Sequence, residues 1–204
     1  MLDCFTLLGQ PRRPWLDPET LKTKFLDLSA RVHPDRVHHA SAAEKQAAHA
    51  RYTDLNTAYN CLREPRDRLR HLIELEIGTR PADIQQIPQD LVDLFMEVSR
   101  LSQEADSTLK DQAALSSPLL KLQFFERAQM WIEKLSLMKQ RLSGHTERLL
   151  VELKSIDDSW MAMSALAPEA RQPLLQRLEQ LYPLFGYFGR WNAQLQERIV
   201  RFSL

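Results

Sequence analysis

The sequence predicts an all-α chain built in two parts, an N-terminal helical hairpin followed by a three-helix bundle, and three observations carry that expectation. Glycine is scarce, with five in 204 residues, while residues that lose little freedom in a helix dominate throughout. Apolar side chains recur every three or four positions in each long segment, the spacing of one helix face. No stretch shows the strict alternation of a half-buried strand.

The first long helix is expected over residues 18–32. Asp17 can cap it, and Pro18 stands in the first turn, where a missing N–H costs nothing. Leu21, Phe25, Leu28 and Val32 then form its apolar face. Lys24 and Arg31 share an exposed side with Asp27, and Lys22 flanks the other edge. The helix must stop at His33, because Pro34 disfavours the α conformation in the residue before it and brings no donor of its own.

A second helix is expected over 41–62, with Ala48, Tyr52, Leu55, Tyr59 and Leu62 alternating by four and three. Two such stripes make the seam of an antiparallel hairpin and leave His33-Pro34-Asp35 exposed at its tip. Further helix reaches Gly78, where Gly78-Thr79-Arg80-Pro81 reads as a C-cap and connector. The expected division is therefore residues 1–78, a linker over 79–87, and a C-terminal bundle over 88–204. An acidic block follows the boundary: residues 81–111 hold seven acidic and two basic side chains.

In the bundle, the first helix begins near Pro88 and carries Leu91, Phe95, Val98 and Leu101 to about Asp111. Ser116-Ser117-Pro118 starts the second, with Leu122, Phe125, Ala128, Ile132, Leu135, Leu142, Leu149 and Leu153 on its apolar side. The periodicity resumes beyond Ser143-Gly144, so one long helix is expected there. The third restarts at Ala167-Pro168-Glu169 and carries Leu174, Leu178, Leu181, Phe185, Phe188, Leu195 and Ile199, with a bend expected near Pro183. Three long helices with short connectors suit an antiparallel bundle.

Composition narrows the function. Lys and Arg total 27, as do Asp and Glu, a balance that calls for neither nucleic acid nor an anionic membrane surface. With no membrane-spanning apolar run and no secretory pattern in Met-Leu-Asp-Cys-Phe, a cytoplasmic protein is expected. Cys4 and Cys61 are not expected to form a close metal-ligand pair and read as small, partly buried apolar residues. His38, His39 and His49 fit no compact tetrahedral set with His33. Neither a metal nor another cofactor is expected. His33 beside Asp35 invites a catalytic reading, yet a hairpin tip supplies neither nucleophile nor enclosed pocket. Recognition fits better: Asp35 presents a carboxylate to a partner arginine, His33 offers ring hydrogen bonds, and Pro34 fixes the backbone between them.

Several segments together resemble a known family. Phe5-Thr6-Leu7-Leu8-Gly9, Leu16-Asp17, the helix bearing Phe25, His33-Pro34-Asp35-Arg36, Leu55-Asn56-Thr57-Ala58-Tyr59 and Leu62 through Gly78 are similar to the J-domain of HscB-type co-chaperones. Arg68-Leu69-Arg70-His71-Leu72-Ile73-Glu74-Leu75 approximates that family's Arg-Ala-x-Tyr-Leu-Leu-x-Leu signature, with His71 where tyrosine is usual. The likeness covers residues 1–78 and continues beyond as architecture more than as motif.

The resemblance implies a non-enzymatic co-chaperone that stimulates ATP hydrolysis by a DnaK-class partner. His33, Pro34, Asp35, Lys22, Lys24, Arg31 and Arg36 would meet an acidic groove on that chaperone. The bundle would hold an iron–sulfur scaffold protein through Val92, Phe95, Met96, Glu97 and Glu104 on its first helix and Leu184, Phe185 and Phe188 on its last. Arg100 departs from this pattern, standing where an acidic residue is expected. The four-cysteine module that precedes the J-domain in some relatives is not expected here. Two alternatives stand beside this reading: a J-domain protein with another client or a self-associating bundle forming a homo-oligomer, and a helical scaffold with no chaperone link.

Overall fold

The computed structural model describes residues 2–33, 41–81, 87–112, 118–163 and 168–203. Among them every regular element is helical, and none is a strand. A short α1 spans Cys4–Leu7, where the Asp3 carboxylate accepts the Phe5 and Thr6 N–H groups. Helix α2 (Pro18–Arg31) starts as the sequence predicts, with Asp17 accepting the Thr20 N–H. Helix α3 (Ala42–Arg63) opens on a reciprocal capping box between Ser41 and Glu44, which satisfies two otherwise orphaned N–H groups. Helix α4 (Pro65–Ile77) ends at Gly78, whose φ of 74° is left-handed. A Cβ there would meet no neighbour within 4 Å, so the backbone angle alone makes glycine the fitting residue.

Helix α5 (Val92–Gln112) follows a 3-10 turn at Gln89–Leu91. Helix α6 (Pro118–Ala162) runs 45 residues without interruption. Gly144 leaves it intact because one interior glycine costs only ~1 kcal/mol, against buried Met138, Leu142 and Leu153 on either side. Helix α7 (Gln172–Ser203) likewise continues through Pro183, flanked by the buried Leu181, Tyr182 and Phe185.

The chain forms two compact units: Met1–Ala82 with Val151–Pro183, and Asp83–Leu150 with Leu184–Leu204. Unit 1 thus takes in the 155–183 stretch that periodicity alone assigned to the bundle. Its contacts explain this. The buried Asp157 carboxylate accepts the Arg13 guanidinium and, at 3.1 Å, the Trp15 amide. Trp160 donates its indole N–H to the Arg12 carbonyl at 3.0 Å, and Arg66 donates to the Tyr182 hydroxyl at 3.3 Å. Cations cover the same aromatics, Lys154 over Trp15 at 4.9 Å and Arg171 over Trp160 at 5.0 Å, each contact favourable through the ring quadrupole. The core of unit 2 is built from Leu94, Val98, Ala105, Leu135, Leu142, Tyr187, Phe188, Trp191, Leu195 and Phe202.

Candidate partner-docking site

The seam between α2 and α3 runs through paired rings. Phe25 stacks on Tyr59 with centroids 4.3 Å apart, and His33 meets Tyr52 edge-on at 5.5 Å. Later positions on α2 pair with earlier positions on α3, so the hairpin is antiparallel, as the two stripes predict. His33 therefore stands just past the C-terminal end of α2 with its ring against α3. Pro34, Asp35 and Arg36 lie outside the described residues, as do His38 and His39.

Lys22, Lys24 and Arg31 are exposed on α2, with Asp27 also exposed among them. Leu26 lies on the same outer surface, 54% exposed. Of the expected apolar face, Leu21 is buried, while Phe25, Leu28 and Val32 are only half-buried. Leu28 and Val32 instead line a cleft of about 280 Å³ with Leu7, Leu55 and the charged Arg31, Arg51 and Asp54. Sequence reasoning missed Arg51 and Asp54; the available signal was that they precede Leu55 on the seam helix by four and one positions. It also left Arg68 without a role. That buried guanidinium donates to the Pro14 carbonyl at 2.8 Å and the Leu62 carbonyl at 2.6 Å, joining α3 and α4 to the loop before α2. Burial lowers its pKa to about 10, so it stays charged at neutral pH.

The eight expected client contacts separate into surface and core. Met96 is 60% exposed, Glu104 is exposed, and Val92, Phe95 and Glu97 are half-buried on α5. Glu97 pairs with Arg141 at 2.6 Å and Glu104 with Arg100 at 3.7 Å, so Arg100 is tied up within its own helix. On α7, Leu184 is half-buried. Phe185 and Phe188, expected to face a client, are instead buried. Phe188 is 2% exposed, stacked on His145 at 5.4 Å and edge-on to Trp191 at 5.7 Å. An aromatic at the middle of a helix's apolar stripe packs inward, and only the stripe's edge is left for a partner. The reverse error holds for Phe125, expected on the inward side of α6 and 60% exposed.

A second grouping was not legible at all. Cys4, Cys61 and His71 come from α1, α3 and α4, and their sulfur and ring-nitrogen atoms all lie within 4.8 Å of one another. The cysteines are buried and half-buried as expected, but the expectation that they form no close metal-ligand pair is corrected: sequence separation says nothing about the packing of α1 and α4 against α3. Both are free thiols, Cys4 buried and Cys61 half-buried. The Cys61 thiol beside it holds the Cys4 thiol down to about 5, with His71 acting in the same direction. The same pairing, with burial, pushes the Cys61 thiol up.

Among the described residues no helix is long and apolar enough to cross a membrane. No family model matches the chain. Among solved structures it is similar to the chaperone HscB from Vibrio cholerae, with 22% identity over 95% of this chain and 99% of that chain and a TM-score of 0.45.

Proposed function

We propose that this chain is a co-chaperone of the HscB type, which docks on a DnaK-class chaperone, stimulates its ATP hydrolysis and presents a client, the iron–sulfur scaffold protein. The observation that carries the reading is the hairpin: a packed α2/α3 pair that sets His33 against Tyr52, immediately before Pro34-Asp35, with Lys22, Lys24 and Arg31 exposed along α2. Such a basic stripe speeds association with an acidic groove and sets orientation more than it adds affinity. The tripeptide then supplies the short-range contacts, Asp35 accepting from a partner arginine.

The chain performs no covalent step in this mechanism. It acts by binding the hydrolysis-competent conformation of the chaperone more tightly than the other, since a partner that binds two states equally shifts nothing. On the client side, Met96 and Glu104 on α5 are the expected residues that are exposed, with Glu97 half-buried between them, and the scaffold contact is assigned to that edge. The protein would work in the cytoplasm. The experiment is a single-turnover ATPase assay of the chaperone with and without the intact chain, combined with capture of the scaffold protein. Stimulated turnover with client capture supports the reading. Stimulation without capture points to a J-domain protein with another client, and unchanged turnover points to a plain helical scaffold.

A further inference from the structure

We propose that Cys4, Cys61 and His71 form a binding site for a thiophilic divalent cation of the zinc class. Cys4 is far in sequence from Cys61 and His71, and each of the three belongs to a different helix. Their ligand atoms nonetheless lie within 4.8 Å of one another. Two sulfurs on a tetrahedral zinc, each at about 2.3 Å from the metal, are roughly 3.8 Å apart. Closing onto an ion therefore needs at most about 1 Å of contraction per pair, within reach of small side-chain rotations.

The donor types select the ion. Two thiolates with one imidazole are the ligands zinc prefers, whereas magnesium and calcium take oxygen donors. Charge balance agrees: two thiolates neutralise a divalent cation, which suits a site where Cys4 is 5% and His71 6% exposed, because an uncompensated buried charge is costly. Loading releases the thiol protons to solvent.

In the unloaded site the ring is held by its neighbours, and an ion must displace one of them. His71 Nε2 accepts the Cys4 backbone N–H at 3.0 Å, and Phe5 stacks on the imidazole at 5.8 Å. A neutral imidazole has one unprotonated nitrogen, so Nε2 is the ligand atom. The cation takes its lone pair from the Cys4 amide, and Nδ1 keeps the proton. Asp3 Oδ1 is 4.0 Å from Nε2, but the carboxylate is engaged by the Phe5 and Thr6 amides and by Arg12. The fourth position accordingly falls to water. A bound ion would tie α1, α3 and α4 together at one point.

The test uses the full chain, reduced and stripped with a chelator, and titrates Co²⁺ as an optical probe before displacing it with Zn²⁺. The expected result is one equivalent of cobalt with thiolate-to-metal charge-transfer absorption, lost on adding zinc. Cys61→Ser and His71→Gln should each weaken binding roughly tenfold or more, and a given zinc concentration should raise the Tm of the unsubstituted chain more than that of either variant. Circular dichroism identifies any variant that fails to fold. Because Cys61 is only half-buried, its serine variant keeps the test open if His71→Gln unfolds. Cobalt binding without charge-transfer absorption, binding unchanged in Cys61→Ser, or no binding at all would overturn the assignment.

Discussion

Phe25 on α2 and Tyr59 on α3 stack nearly parallel, with planes 11° apart and centroids separated by 4.3 Å. This contact holds the hairpin that presents His33. Phe25→Ala removes a half-buried ring and its stacking partner's contact, so it should cost about 2 kcal/mol. Urea unfolding checks the figure, and a loss below about 0.5 kcal/mol would mean that the seam does not depend on this pair.

The Asp157 carboxylate is the hub that joins residues 151–183 to the loop carrying Arg13 and Trp15. Its side chain is 2% exposed. Asp157→Asn leaves the Arg13 charge without its counterion and should destabilise the protein by about 3 kcal/mol. Combining Arg13→Met with Asp157→Leu should recover part of that loss, because an apolar pair has no desolvated charge to satisfy. A double-mutant cycle in guanidinium measures both terms.

Two helix starts carry a pH dependence of known sign. Hydrogen bonds from Thr20 hold the Asp17 carboxyl below its ordinary 3.8, and those from Ser41 hold the Glu44 carboxyl below 4.5. A folded pKa lower than the unfolded one contributes stability that is complete above the unfolded value and is lost as pH falls through the folded value. Thermal unfolding should therefore show Tm falling as pH drops through that range, and the fall should be shallower in Asp17→Asn Glu44→Gln. An equal slope in the two proteins would contradict the capping account.

The split of the expected client face predicts two different phenotypes. Met96→Asp alters an exposed edge and should weaken scaffold capture roughly tenfold, with Tm and ATPase stimulation unchanged. Phe188→Ala empties a core position and should cost about 3–5 kcal/mol, seen first in denaturation. Retained capture by Met96→Asp would move the client site away from this edge of α5.

How much of this was legible in the sequence depends on whether the signal was local. Asp17-Pro18 and Gly78 mark ends that α2 and α4 adopt, because caps and φ preferences act within a turn. The long α6 through Gly144 was legible because apolar spacing outweighs one weak residue. Partnering was not local. Periodicity marks Leu178, Leu181 and Phe188 as apolar but not which surface covers them, so residues 155–183 read as part of the bundle, and Phe188 reads as a client contact only through the family resemblance. The meeting of Cys4 with Cys61 and His71 depends on how three helices pack, and no spacing rule reports it. Arg68 stood in a recognisable signature, yet its task, two backbone carbonyls at 2.8 and 2.6 Å, is visible only in three dimensions.

In the proposed mechanism the hairpin tip acts on a chaperone through Asp35. The most direct measurement is single-turnover ATP hydrolysis by a DnaK-class chaperone with Asp35→Asn in place of the unsubstituted chain, after circular dichroism has matched the two folds. The unsubstituted chain should accelerate hydrolysis, and Asp35→Asn should leave it at the basal rate. Full acceleration by Asp35→Asn would contradict that mechanism.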